Sequence, residues 1–192
     1  MPRNREGRYD VLDDVIHESE DAVSLTEYHF LERWHADAVP EAVWGLVGDP
    51  LTYARWWPEF LEVTPLNAIR GVGARVAVHV KAALPYHMRF ELETIRYDRP
   101  HAAEVAVHGD LVGRMRWVLA PYDSGTYVVF EEEVRTGKAL LNLLAPIGKP
   151  FFAWNHRLMM RHGEAGLAAE LAKGAGPWAE GSVGPTPPPP RT

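Results

Sequence analysis

Residues 151–172, FFAWNHRLMMRHGEAGLAAELA, are the stretch on which the fold turns. No proline interrupts them, and Phe152, His156, Met159, Met160, Gly163, Leu167 and Leu171 fall on one broad stripe at helical spacing. At 1.5 Å per residue this helix is roughly 33 Å long, enough to cross six or seven strands. Pro146 and Pro150 stand before it and Gly174 is a natural stop after it.

Upstream of the helix the hydrophobic period drops to two. Residues 74–83, 86–97, 102–108, 113–119 and 126–135 alternate as strands, separated by turn residues such as Pro85, Asp98-Arg99-Pro100, Gly109-Asp110 and Asp123-Ser124-Gly125. Connections this short imply antiparallel hairpins. An earlier strand covers Thr26 to Ala36, with Tyr28, Phe30, Glu32 and Trp34 on one parity. Between it and the meander, Pro40 opens one short helix that ends at Asp49-Pro50. Leu51 to Trp57 form a second, closed by Pro58, whose Trp56-Trp57 pair is too large to leave wholly in water. The reading is α+β: a curved antiparallel sheet of six to seven strands around a long C-terminal helix, with two short helices after the first strand.

The chain of 192 residues suits one domain with tails. Residues 1–24 hold seven acids against three arginines and form an acidic, loosely attached arm. Residues 25–173 are the folded body. Residues 174–192, ten of nineteen being Gly or Pro, cannot bury enough surface to offset their ordering entropy and form a disordered tail, with weak protein contacts through the termini conceivable. The absence of cysteine removes thiolate chemistry and disulfides. The net charge of −6 has the wrong sign for a nucleic-acid partner. No apolar run reaches a membrane-spanning length and the N-terminus has no leader pattern, so the expected location is cytoplasmic. His156 and His162 diverge by about 120° around a helix, no His-x-x-x-His spacing occurs, and neither a metal nor any other cofactor is expected.

The element order, with Trp57-Pro58-Glu59-Phe60 after the second helix and Gly109-Asp110-Leu111-Val112-Gly113 between late strands, resembles the START-like (SRPBCC) superfamily. Asn142-Leu143-Leu144-Ala145-Pro146, Trp154-Asn155-His156 and Met160-Arg161-His162-Gly163-Glu164 are similar to the last helix of bacterial polyketide cyclase/dehydrase-like members. The resemblance covers about residues 26–172. It implies a helix-grip fold whose sheet and helix enclose a hydrophobic ligand such as a lipid, quinone or polyketide, and it does not imply a single activity.

Strand parity then names the residues on the concave wall. Trp57, Phe60, Met88, Phe90, Trp117, Phe130 and Met159, with Asn155, are the candidate ligand-binding side chains, and Tyr86 shares their parity. Glu32 and Glu132 break the apolar parity of the first and last strands, which the resemblance makes neighbours. Two carboxylates in a low-dielectric cleft form an acid/base candidate, with His156 as a possible shuttle. The local alternative pairs each glutamate with Arg157, Arg161 or His156 on the helix, or turns Glu132 outward through a bulge in Glu131-Glu132-Glu133. Three functions follow: binding or transport of a hydrophobic small molecule; a polyketide cyclase/aromatase using Glu32, Glu132 or His156; and a protein-interaction module with a vestigial pocket.

Overall fold

The computed structural model describes residues 27–81, 87–136 and 139–174, the side chains of 136–152 excepted. The elements are β1 (Glu27–Ala36), α1 (Pro40–Val47), a 3-10 turn (Pro50–Thr52), α2 (Tyr53–Trp56), β2 (Phe60–Pro65), β3 (Arg75–Lys81), β4 (His87–Asp98), β5 (Ala102–Gly109), β6 (Leu111–Tyr122), β7 (Gly125–Thr136) and α3 (Ala139–Ala172). Seven strands form one antiparallel sheet in the order β1-β7-β6-β5-β4-β3-β2. With the long helix and the two short ones after β1, this is the expected helix-grip α+β architecture. The acidic arm before Glu27, the proline-rich tail from 175 onward, Tyr86 and the side chain of Phe152 lie outside the described residues.

Two elements depart from the sequence reading. The strand β2 was not anticipated, because FLEVTP lies at the sheet edge, shows no clean alternation and carries a register shift between Phe60 and Glu62. Helix α3 begins at Ala139 rather than near Phe151 and reaches 34 residues, about 51 Å. Pro146 and Pro150 each remove a backbone donor without ending it.

The inner face follows parity. Val76, Val78, Val80, Phe90, Leu92, Val107, Trp117, Val128, Phe130 and Val134 are buried, while Arg75 meets Glu91 and Arg114 meets Glu104 across strands on the outer face. Gly113 allows the β6–β7 approach: at φ +153°, a Cβ there would stand 2.0 Å from the Glu133 carbonyl oxygen. A bulge between Thr94 and Arg96 shifts the register of β4 against β5.

Helix α3 is clamped to the α1–α2 corner by two glycines one turn apart. A Cβ on Gly163 would meet the Trp57 ring at 2.6 Å, and one on Gly166 would meet the Trp56 carbonyl oxygen at 1.8 Å. Trp57 Nε1 donates to the Met159 carbonyl at 3.0 Å, and Arg55 pairs at 2.7 Å with the buried Glu170. Trp34, Trp44, Trp56, Trp57 and Trp117 thereby join one buried cluster. The methyl of a Gly166→Ala substitution would meet backbone rather than a flexible side chain, so only a main-chain shift could make room for it. Chemical denaturation of Gly166→Ala is expected to show a loss of about 2–3 kcal/mol, typical of overpacking; an unchanged midpoint would mean that the helix slides freely over Trp56.

Candidate functional site

Between the inner face of the sheet, the α1–α2 corner and α3 lies a cavity of about 130 Å³. The sheet supplies Phe60, Val80, Met88, Phe90, Leu92, Val105, Met115, Trp117, Phe130 and Val134, the corner supplies Tyr53 and Trp57, and α3 supplies Met159 and Met160. All eight residues singled out for ligand binding in the sequence stand in this lining, Asn155 included. Polar side chains enter it in few places: Thr94 on β4, the tyrosines, and a group formed by Glu132, Asn155 and His156.

That group follows from register. On the paired strands Glu32 lies opposite Phe130 and Glu132 opposite Phe30, so the two glutamates are diagonal neighbours on the inner face. They do not form a direct acid pair. The imidazole of His156 stands between them, with Nε2 3.1 Å from Glu132 Oε2 and Nδ1 3.5 Å from Glu32 Oε1. Phe30 lies flat on the same ring, at a centroid distance of 3.7 Å and an interplanar angle of 9°. Nε2 makes a hydrogen bond with Glu132, whereas Nδ1 is buried without one. With the proton on Nε2, the neutral ring turns the Nδ1 lone pair towards Glu32, so a proton on either Nδ1 or Glu32 would close the second contact. Of the local alternatives, the structure holds the pairing of both glutamates with His156, and Glu132 stays inward and buried rather than turned out by a bulge.

Exposure gives the group a direction. The side chain of Glu132 is 10% exposed and lines the cavity, His156 is 12% exposed and lines it, and Glu32 is 28% exposed and does not. Carboxylate, imidazole and carboxylate thus run from the cavity wall towards solvent. Beside it, Asn155 Nδ2 lies 3.3 Å from Met159 Sδ, which fixes the amide against the cavity.

Three features were not read from the sequence. The Tyr53 hydroxyl donates to the Val47 carbonyl at 2.6 Å and accepts from Trp117 Nε1 at 2.9 Å, tying the helical corner to β6 across the cavity wall. Nothing in the local pattern marks it, since its partners are remote. Thr94 had a legible signal: it continues the inward parity of Met88, Phe90 and Leu92. Glu59, buried, meets His162 Nδ1 at 2.6 Å outside the cavity, and its Oε2 has no hydrogen-bond partner.

Burial pushes the Tyr53 phenol well above its ordinary value near 10, with the Trp117 hydrogen bond opposing and the charge of Asp49 adding to the rise. The folded state therefore holds the neutral phenol while the unfolded chain loses its proton near pH 10, so this stabilisation is full below pH 10 and declines as pH rises beyond it. In Tyr53→Phe the Val47 carbonyl and the Trp117 indole lose their buried partner, and denaturation at pH 7 is expected to show a loss of about 2–4 kcal/mol. The wild-type advantage should shrink above pH 10; an advantage independent of alkaline pH would show that the hydroxyl is accessible to water.

The profile of the polyketide cyclase/dehydrase and lipid transport family matches residues 29–172. No curated protein matches the chain. Among solved structures, the Zhui aromatase/cyclase from Streptomyces sp. R1128 is similar, with 19% identity, a TM-score of 0.61 and coverage of 77% of this chain and 94% of that one. The di-domain aromatase/cyclase BexL of the BE-7585A biosynthetic pathway superposes with a TM-score of 0.62 at 15% identity, over 76% of this chain and 50% of its own length. A protein from Mycobacterium smegmatis gives 0.57 at 14% identity, over 76% and 92%. At such identities the likeness establishes the shared fold. Among the described residues no helix is long and apolar enough to cross a membrane.

Proposed function

The chain belongs to the polyketide cyclase/dehydrase and lipid transport family, and on that premise we propose that it binds a hydrophobic small molecule, with an aromatic or acyl portion held in the cavity between sheet and α3. The observation that carries this reading is the cavity wall: apolar side chains from all seven strands, the helical corner and α3 converge on one space, with Glu132 and His156 grouped on one side. Its volume of about 130 Å³ is close to that of a dry protein cavity that accepts one benzene ring. Dispersion contacts with Phe90, Trp117 and Phe130, and removal of apolar surface from water, supply the affinity at about 25 cal/mol per Å² buried. Glu132 and Asn155 orient any polar substituent.

Two tryptophans in the wall make the reading testable. Titration with 2-naphthol should change the emission of Trp57 and Trp117 saturably, and Val105→Phe, which fills the cavity from β5, should abolish that change with the melting temperature kept within a few degrees. Saturation without effect of the filling substitution would place the binding elsewhere.

A second reading, acid/base catalysis in the manner of a cyclase, is favoured by the Glu132–His156–Glu32 sequence. Glu132, in the lining, would take a proton from a carbon beside a carbonyl, the C–H pair moving into an enolate whose carbon attacks a second carbonyl; the displaced π pair forms an alkoxide, which recovers the proton from Glu132. His156 and Glu32 act as positioning residues that pass charge outward. The probe is deuterium exchange at the α-carbon of 2-tetralone followed by NMR. Wild-type protein should accelerate it, and Glu132→Gln should lose roughly 10²–10⁴-fold of that acceleration while naphthalene, which offers no polar substituent, still binds. Exchange at the buffer rate would leave binding as the whole function.

A further inference from the structure

Beyond the inner cavity, a cleft of about 1100 Å³ opens under the β2–β3 connection. Its floor is the α1 end and the 3-10 turn (Trp44, Gly48, Asp49, Pro50, Leu51), its roof is residues 65–71, and its side wall is the distal part of β4. Four residues, Gly48, Pro50, Leu92 and Thr94, line both spaces. The two are therefore adjoining, with Thr94 the polar side chain at the junction.

Strand β4 runs along both spaces. Met88, Phe90, Leu92 and Thr94 line the cavity, and Leu92, Thr94 and Tyr97 line the cleft. Strict alternation from Thr94 would turn Arg96 inward. The bulge between Thr94 and Arg96 pairs Tyr97 with the inward Ala103 instead, and Tyr97 accepts a bond from Trp44 Nε1 at 3.3 Å. From Met88 to Tyr97 the path is roughly 30 Å at 3.3 Å per residue, far longer than one ring needs.

The roof is a built structure. Asn67 Nδ2 donates to the Gly73 carbonyl, Asn67 Oδ1 accepts from the backbone of Ile69 and Arg75, and Gly73 N donates to the Thr94 carbonyl. Leu66 and Ile69, 46% and 53% exposed, keep the cleft apolar. Its charged side chains are Asp49, Arg70 and Arg75. Asp49 is held by the Leu51 backbone as the cap of the 3-10 turn, and Arg75 is paired with Glu91. Arg70, 82% exposed, makes a long contact of 3.8 Å with Asp49. A guanidinium so weakly engaged in the wall of a largely apolar cleft suits an anionic group, which it can bind through two parallel N–H donors.

Resting on the reading that the cavity binds a hydrophobic molecule, we propose that the ligand is an elongated amphipathic acid, its apolar end in the inner cavity and its anionic end in the outer cleft against Arg70. The test uses the full chain with hexadecanoate, the neutral hexadecanol and 2-naphthol as probes, followed by calorimetry and by displacement of 2-naphthol. Hexadecanoate is expected to displace 2-naphthol, to bind more tightly than hexadecanol, and to weaken about fivefold or more in Arg70→Ala and in raised salt. Binding of 2-naphthol and hexadecanol should not change in the variant. Equal affinity of acid and alcohol, an unaffected Arg70→Ala, or failure of hexadecanoate to bind while 2-naphthol binds overturns the two-part site and leaves the cavity reading standing. Failure of all three probes overturns both.

Discussion

The approach of α3 to the Trp56–Trp57 turn is the constraint from which the rest of the structure follows. Only glycine at positions 163 and 166 lets a helix lie against a carbonyl oxygen and an indole face at those separations. Once the helix is seated there, Met159 is near enough for its carbonyl to receive the Trp57 indole, and His156, one turn earlier, arrives over β1 and β7 between the two glutamates. A few tenths of an ångström more between helix and corner would open the wall on one side and separate the imidazole from its carboxylates on the other. Packing and site geometry are two readings of one contact.

The ionisable group in the cavity shows how an apolar wall tolerates charge. Glu132 is buried, yet one of its oxygens shares a hydrogen bond with the His156 imidazole, which offsets the cost of its desolvation. The less buried Glu32 ends the sequence on the side away from the cavity. Whether such an arrangement serves binding or proton transfer depends on what the ligand offers to Glu132, and the protein's part, orientation of the imidazole by Phe30, is the same in both.

Much of the fold was legible because its signals are local. Alternation along β3 to β7, turn residues between them and the helical stripe of 151–172 each depend on neighbours within a few residues, and parity alone placed Phe90, Trp117 and Phe130 on the inner face. Edge strand β2 was illegible because one face is half solvated and its register shifts at Phe60. In the site, the inward placement of Glu32 and Glu132 could be read by counting, but the interposed imidazole could not, since it depends on the depth at which α3 sits. The Tyr53 hydroxyl was silent for the same reason: its two partners lie six and sixty-four residues away.

The bulge at Thr94/Arg96 makes the chemistry of the outer cleft a matter of counting as well as of composition. Tyr97 faces inward because one extra residue resets the pleat; without that reset the same sequence would present arginine and aspartate to the space. An insertion or deletion of one residue in this part of β4 would thus act as a change of specificity while leaving every lining side chain of the inner cavity as it was. Divergence among chains built on this sheet can proceed by such indels, and comparisons that align residues without aligning pleats would miss it.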